Sequence, residues 1–177
     1  METYTFTSHS SEETMDFASN LASKLHIGDV VVLTGELGAG KTKFTEGFLR
    51  HFGLDKEISS STFTIVNEYK KDDIKIYHFD VYRLEDVDEF YAIGGEEYFS
   101  SGICIIEWGE LIEDALPDNC IRISFEKDSS DENVRYLNIK KGRFLFCVKT
   151  EPSPFSLFHF YIFIKFITIT IIPRITL

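Results

Sequence analysis

A three-layer α/β domain, with a sheet mixing parallel and antiparallel strands, is the fold class that the apolar patterns of this chain predict. Three observations carry that reading. A β-branched run at residues 30–33 leads through a glycine-rich turn into a helical pattern. The run Ile-Cys-Ile-Ile at 103–106 is short, continuous and bounded, as a strand buried on both faces is. Alternating runs at 63–69 with 74–79, and at 121–125 with 135–139, read as antiparallel hairpins. Helix–strand alternation in the middle with antiparallel pairs around it gives the layered architecture.

In chain order, residues 4–7, Tyr-Thr-Phe-Thr, alternate and predict a short strand. Ser10 and Glu13 then have the spacing of a capping box, serine at the N-cap and glutamate three residues on. The helix they start presents Phe17, Ala18, Leu21, Ala22 and Leu25 to one side. A Gly28-Asp29 turn enters the 30–33 run. Phe44, Phe48, Leu49 and Phe52 recur at helical spacing, and Gly53 stands where a C-cap belongs. Residues 58–62 form a Ser/Thr-rich loop, and 70–73 a charged turn inside the first hairpin. Residues 84–99 are acidic and helical in pattern, broken at Gly94-Gly95. A polar turn at 126–133 separates the last two strands.

The chain has 177 residues, enough for one domain with its own core. Eighteen Lys and Arg face 29 Asp and Glu, a net charge of −11. Residues 142–177 hold four basic side chains and one acid, so residues 1–141 carry −14. Such a body is a poor general surface for nucleic acid, whose binding is driven by Lys and Arg displacing counterions. Any RNA is therefore expected to be met through a partner. Cys104, Cys120 and Cys147 have no paired metal spacing and read as reduced thiols of a cytosolic protein. The first nine residues are polar, without a signal-peptide core.

Gly35-Glu36-Leu37-Gly38-Ala39-Gly40-Lys41-Thr42 fits Gly-x-x-x-x-Gly-Lys-Thr between a strand and a helix. That context marks a phosphate-binding P-loop and makes the domain P-loop NTPase-like. The glycines let backbone N–H groups crowd around phosphate oxygens. The helix N-terminus adds partial positive charge, Lys41 a full one, and the Thr42 hydroxyl suits Mg²⁺. No Asn-Lys-x-Asp guanine-reading element appears, so ATP is expected over GTP.

Hydrolysis also needs an acid for the Mg²⁺ shell and a group that orients water. Glu107 ends the buried 103–106 run and is assigned to Mg²⁺, directly or through water, opposite Thr42; the competing reading is an exposed strand-end carboxylate. Asp80 ends the 74–79 strand and is the second candidate, for positioning water or touching the metal–phosphate assembly. A turn residue or a partner for Arg83 fits its spacing nearly as well. Thr62 stands where a switch threonine would sense the γ-phosphate, against the simpler reading of a polar loop residue. Trp108, the single tryptophan, packs on nucleotide or partner, or else in the core. His78 is read as an ordinary strand residue.

Four ordered segments, Gly-Glu-Leu-Gly-Ala-Gly-Lys-Thr at 35–42, Ser-Ser-Thr-Phe-Thr-Ile-Val-Asn-Glu-Tyr at 60–69, Tyr-His-Phe-Asp-Val-Tyr-Arg-Leu at 77–84 and Ile-Glu-Trp-Gly-Glu at 106–110, together resemble the TsaE (YjeE) family. These are bacterial ATPases of tRNA threonylcarbamoyladenosine (t6A) biosynthesis. The resemblance implies a cytoplasmic Mg²⁺-dependent ATPase, weak alone, that works with the TsaD–TsaB pair. That pair transfers the threonylcarbamoyl group to adenosine 37 of tRNAs reading ANN codons, and ATP hydrolysis would reset it between turnovers. Glu36, Leu37, Gly38, Ala39, Gly40, Lys41 and Thr42 would hold the phosphates, with Thr42 and Glu107 on Mg²⁺. Asp80 would lie at the nucleotide, and Lys41, Asp80 and Glu107 would carry catalysis. Ser11 would border the adenine or ribose, Trp108 would act beside the metal acid, and Glu110 would be a weaker nucleotide contact. The family usually has proline where this chain has Ser61, and often has it at Gly109; neither change removes a chemical group.

Residues 1–141 are thus expected to form the ATPase domain. Residues 142–177 stand outside the pattern, with a Phe- and Ile-rich stretch at 155–172. Lys165 near its centre argues against a membrane span, since a mid-bilayer lysine costs roughly 2.5–3.5 kcal/mol. The segment is read as an appendage outside the chemistry, of a composition that a shifted frame in AT-rich DNA produces; a membrane anchor is the alternative. For the domain, the rivals to an ATPase are a small-molecule or nucleoside kinase and a non-hydrolysing nucleotide sensor. The segments at 53–69 and 84–102 are short and poor in arginine for a kinase lid.

Overall fold

The computed structural model describes residues 2–58 and 64–141, which lie in one compact unit, Met1–Phe144. The expectations for Ser61, Thr62 and the 142–177 extension lie outside the described residues. Seven strands form one sheet in the order β1-β7-β6-β2-β5-β4-β3. They are β1 Glu2–Ser8, β2 Val30–Gly35, β3 Val66–Lys71, β4 Ile74–Asp80, β5 Ile103–Glu107, β6 Ile121–Lys127 and β7 Arg135–Lys141. The centre is parallel, β6 beside β2, β2 beside β5 and β5 beside β4. The edges are antiparallel, β4–β3 on one side and β6–β7–β1 on the other. Both predicted hairpins form, but β3 runs through Lys70 and Lys71, which pair with Lys75 and Ile74, so the turn expected at 70–73 shortens to residues 72–73. The pairing of β1 with β7 is a finding of the structure, because alternation names a strand but not its partner.

Helices α1 (Ser11–Ala22) and α2 (Lys41–His51) pack on each other, and α3 (Val87–Ala92) is short. The capping box forms with one shift: Ser10 Oγ accepts from Glu13 N at 3.1 Å as predicted, while Glu13 Oε2 accepts from the N–H of His9, one residue before the N-cap, at 2.7 Å. Helix α2 buries Phe44, Phe48 and Leu49 completely. Each such side chain contributes about 1.5–3 kcal/mol. Arg50 also reaches Glu12 and Asp16 on α1, at 2.6 Å each, from partly exposed positions. Exposed pairs of this kind contribute roughly 0–1 kcal/mol, so apolar packing holds the helix pair. Gly47 is what permits the approach, since a Cβ there would meet the Met15 backbone at 2.3 Å.

The acidic helical pattern at 84–99 breaks as its glycines foretold. Asp86 caps α3 by accepting from Asp88 and Glu89 N–H groups, Gly94 adopts φ +69°, and Gly95–Ser100 continues as a 3₁₀ turn. Side chains alternate across the central strands. Val30 and Val32, Tyr77 and Phe79, and Cys104 and Ile106 face a core that includes Phe90 of α3, Ile112 and Leu116. The opposite parity sends Ile76, His78 and Asp80, and Ile103, Ile105 and Glu107, to the other face. The tight seat of Gly109, where a Cβ would lie 2.2 Å from Val32 Cγ1, brings the segment after β5 down onto the first core.

Candidate nucleotide-binding site

The C-terminal ends of β2, β4 and β5 meet in register: Leu33 lies beside Glu107, and Asp80 lies beside Glu107 on the other side. Strand β2 leaves the sheet through the glycine loop, with Gly35, Gly38 and Gly40 at φ +129°, +72° and +111°. A side chain at Gly35 would also put its Cβ 2.5 Å from the Phe125 carbonyl oxygen. The loop ends at the first turn of α2, whose N–H groups lack intrahelical partners and carry the positive end of the helix dipole.

A cavity of about 330 Å³ opens here, lined by Leu37, Gly38, Gly40, Lys41 and Thr42 from the loop and helix. Asp80, Tyr82, Glu107 and Trp108 form its far wall, with Lys43 at the rim. Lys41 is 4% exposed and folds back on the loop, donating to the carbonyls of Gly35 at 2.5 Å and Glu36 at 2.9 Å. Its ammonium stands 3.5 Å from the centre of the Trp108 ring. Burial lowers its pKa, only partly offset by the negative charges of Glu107, Glu110 and Asp80. Trp108 holds this place because φ +65° turns the chain sharply after β5, with its N–H on Leu33 O at 2.9 Å; Tyr82 packs on the ring at 4.7 Å.

Glu107 is 3% exposed and accepts three hydrogen bonds. Thr42 Oγ1 donates to Oε2 at 3.0 Å, Thr45 Oγ1 donates to Oε1 at 2.9 Å, and His78 Nε2 lies 3.1 Å from Oε1. Because a carboxylate only accepts, Nε2 carries the proton of that last bond. Burial raises the Glu107 pKa, but the bonds and charge from His78, with Thr45 and Thr42, outweigh it and hold the carboxyl below its usual range. Asp80 Oδ1 accepts from Tyr82 N at 3.2 Å, so the residue makes a strand-end turn and lines the cavity as well.

The oxygens of Thr42 and Glu107 suit Mg²⁺. Both are hard donors, and their 3.0 Å separation matches the ~2.9 Å between neighbouring ligands of an octahedral ion bound at 2.0–2.1 Å. Among the described residues no cluster of three or more His, Cys, Asp or Glu could cage a metal. A Mg²⁺ held by one carboxylate, a hydroxyl, phosphates and water needs no such cage.

Residues 8–136 match the family described as threonylcarbamoyl adenosine biosynthesis protein TsaE. The chain belongs to the TsaE family. It is 43% identical over 122 residues to the tRNA threonylcarbamoyladenosine biosynthesis protein TsaE of Bacillus subtilis, covering 68% of this chain and 76% of that one. The Rickettsia typhi TsaE is 39% identical over 141 residues, 79% of this chain and 96% of that one. The crystal structure of Bacillus subtilis YdiB superposes with a TM-score of 0.63 at 33% identity, covering 79% of this chain and 86% of that one.

In this TsaE family member, Leu37, Gly38, Gly40, Lys41, Thr42, Asp80, Glu107 and Trp108 thus converge on one cavity. Ala39 is buried in the loop, and the Glu36 side chain is turned outward, 4.0 Å from Lys127. Lys127 Nζ also donates to Leu37 O at 2.8 Å and ties the loop to β6. Glu110 is exposed and reaches Lys41 by its charge. Ser11 lines a second cavity of about 260 Å³ that shares Gly38, Gly40 and Lys43 with the first. Its other walls are Ser10, Thr14 and, from the β6–β7 hairpin, Glu132, Asn133 and Arg135. Sequence reasoning missed this hairpin contribution, and it missed Thr45 and His78. For His78, read as an ordinary strand residue, parity with Asp80 was the available signal; for Thr45 it was its place one turn after Lys41 and Thr42.

Proposed function

We propose that this chain is the Mg²⁺-dependent ATPase of tRNA t6A biosynthesis, acting in the cytoplasm with the TsaD–TsaB transferase pair. The observation that carries the ATPase reading is the Thr42–Glu107 oxygen pair at 3.0 Å, set beside a glycine cradle with Asp80 on the same rim. The triphosphate enters the larger cavity, where loop and helix N–H groups and Lys41 meet its oxygens; the adenosine end extends to the cavity beside Ser11. Lys41 exchanges the carbonyls of Gly35 and Glu36 for phosphate oxygens. Thr42 and Glu107 hold Mg²⁺, which when bound neutralises the charge gathering on the transferring phosphoryl group. Asp80 orients the attacking water, and Trp108 with Tyr82 walls the reacting end from solvent. The −14 charge of residues 1–141 suits a subunit that meets tRNA through its partners. Among the described residues no helix is long and apolar enough to cross a membrane. Residues 142–177 take no part in this chemistry.

Incubating the protein with Mg-ATP, with and without TsaD–TsaB and tRNA, tests the proposal. It predicts slow phosphate release alone and repeated rounds of t6A formation only in the full mixture. Transfer of the phosphoryl group to a small acceptor would establish a kinase instead. Tight nucleotide binding with no phosphate release under any condition would establish a sensor.

A further inference from the structure

We propose that Thr45 and His78 are positioning residues for the metal: together they lock Oε1 of Glu107 and leave Oε2 as the oxygen offered beside Thr42. The inference rests on the Mg-nucleotide reading of the site. A carboxylate has two equivalent oxygens and a soft terminal torsion, so an unsupported glutamate presents either oxygen, or both. Here Oε1 is taken twice, by Thr45 at 2.9 Å and His78 at 3.1 Å, while Oε2 meets only Thr42 among the described residues. All three groups around Oε1 are buried, with Thr45 at 0%, His78 at 2% and Glu107 at 3% exposure.

Two details tie these side chains to Glu107 rather than to folding. A helical threonine commonly bonds back to the carbonyl four residues earlier. Thr45 does reach Lys41 O, but at 3.2 Å, and its single hydroxyl proton has the shorter path to Glu107. His78 Nδ1 is buried with no hydrogen-bond partner among the described residues, so Glu107 is the ring's one polar engagement. An apolar side chain would fill that place without stranding a nitrogen. Octahedral Mg²⁺ tolerates little misdirection of its ligands, and groups that orient a ligand typically govern metal affinity by 10–100-fold.

The test uses the full-length protein with Thr45→Val, which keeps the shape, and with His78→Leu and His78→Gln. Calorimetry measures binding of a non-hydrolysable ATP analogue in EDTA and across a Mg²⁺ titration. Thr45→Val and His78→Leu should raise the half-saturating Mg²⁺ concentration about 10–100-fold while Mg-free affinity stays within about twofold. His78→Gln, whose amide nitrogen can donate to Oε1, should recover most of the loss. An unchanged Mg²⁺ midpoint in Thr45→Val, which decides the matter if His78→Leu fails to fold, overturns the proposal. So does a loss of Mg-free affinity in step with the Mg²⁺ effect, which marks general damage. Wild-type binding that ignores Mg²⁺ overturns both this inference and the reading beneath it.

Discussion

Replacing Glu107 by glutamine and by alanine separates two roles of one buried carboxylate, and the structure sets the size of each effect. Alanine leaves the Thr42, Thr45 and His78 donors without their acceptor. Thr42 is exposed and turns to water, and Thr45 falls back on Lys41 O at 3.2 Å, so the buried His78 is the donor left stranded, at about 1–3 kcal/mol. That is a measurable part of the ~5–15 kcal/mol that stabilises a domain. At about 2–4 °C per kcal/mol, Glu107→Ala should melt at least ~2 °C below wild type. Glutamine keeps the volume, and its oxygen can turn to the two donors at the Oε1 position while Thr42 rotates to accept from the amide. Three charge-assisted bonds become neutral ones, losing about 1 kcal/mol each, but a buried charge is no longer desolvated, which returns a comparable amount. Glu107→Gln should therefore melt close to wild type, yet present an N–H donor where the ion needs an oxygen. Losing one charge-assisted contact of ~3 kcal/mol weakens Mg²⁺ binding on the order of 100-fold. Thermal melts by circular dichroism and Mg²⁺ titrations of nucleotide binding measure the two effects. An alanine variant as stable as wild type would show that the carboxylate does not gather those donors. A glutamine variant with normal Mg²⁺ dependence would remove Glu107 from the metal site.

Other outcomes follow from separate parts of the molecule. Nucleotide should draw the Lys41 ammonium off the Trp108 ring, now 3.5 Å away, so the emission of the single tryptophan should change on binding. Lys41→Ala should abolish both the response and phosphate release, and a retained response would show that it has another source. Gly47→Ala should cost about 1–3 kcal/mol in chemical denaturation, because the new Cβ meets the Met15 backbone. That outweighs the ~1 kcal/mol that alanine gains as a helix former, and a stabilised variant would contradict the close contact of α1 and α2. In the β6–β7 turn, hydrogen bonds from Ser130, Tyr136 and the N–H of Asp131 hold the Asp128 carboxyl well below its usual range. Its stabilisation is fully present above the unfolded value near ~4 and is lost as pH falls through the folded one. The stability gap between wild type and Asp128→Ala should thus narrow on acidification from about pH 6 to pH 2, and a gap independent of pH would refute the assignment.

Local signals made much of this molecule legible. The strand–glycine loop–helix, the capping box at Ser10 and Glu13, the fully buried β5 and both hairpins each announce themselves within about two dozen residues. Glu107 and Asp80, which line the cavity, stand out in the sequence because a P-loop calls for acids at neighbouring strand ends. What stayed hidden depends on distant pairing. Nothing near Tyr4 says that β1 will lie on β7, and nothing near Asn133 or Arg135 says that their turn will stand over Ser11. His78 and Thr45 were passed over for a different reason. Each looks ordinary alone, and only the register of β4 with β5 and the seat of α2 bring them onto one oxygen.

A crystal structure with Mg²⁺ and a non-hydrolysable ATP analogue tests the central claim most directly. The account predicts the triphosphate in the 35–42 cradle, with Lys41 Nζ moved from Gly35 and Glu36 to phosphate oxygens. The ion should lie on Thr42 and on Glu107 Oε2, directly or through one water, with Asp80 facing the γ-phosphate. A cradle left empty at saturating nucleotide, with Lys41 unmoved and both carboxylates turned from any bound ion, would contradict it.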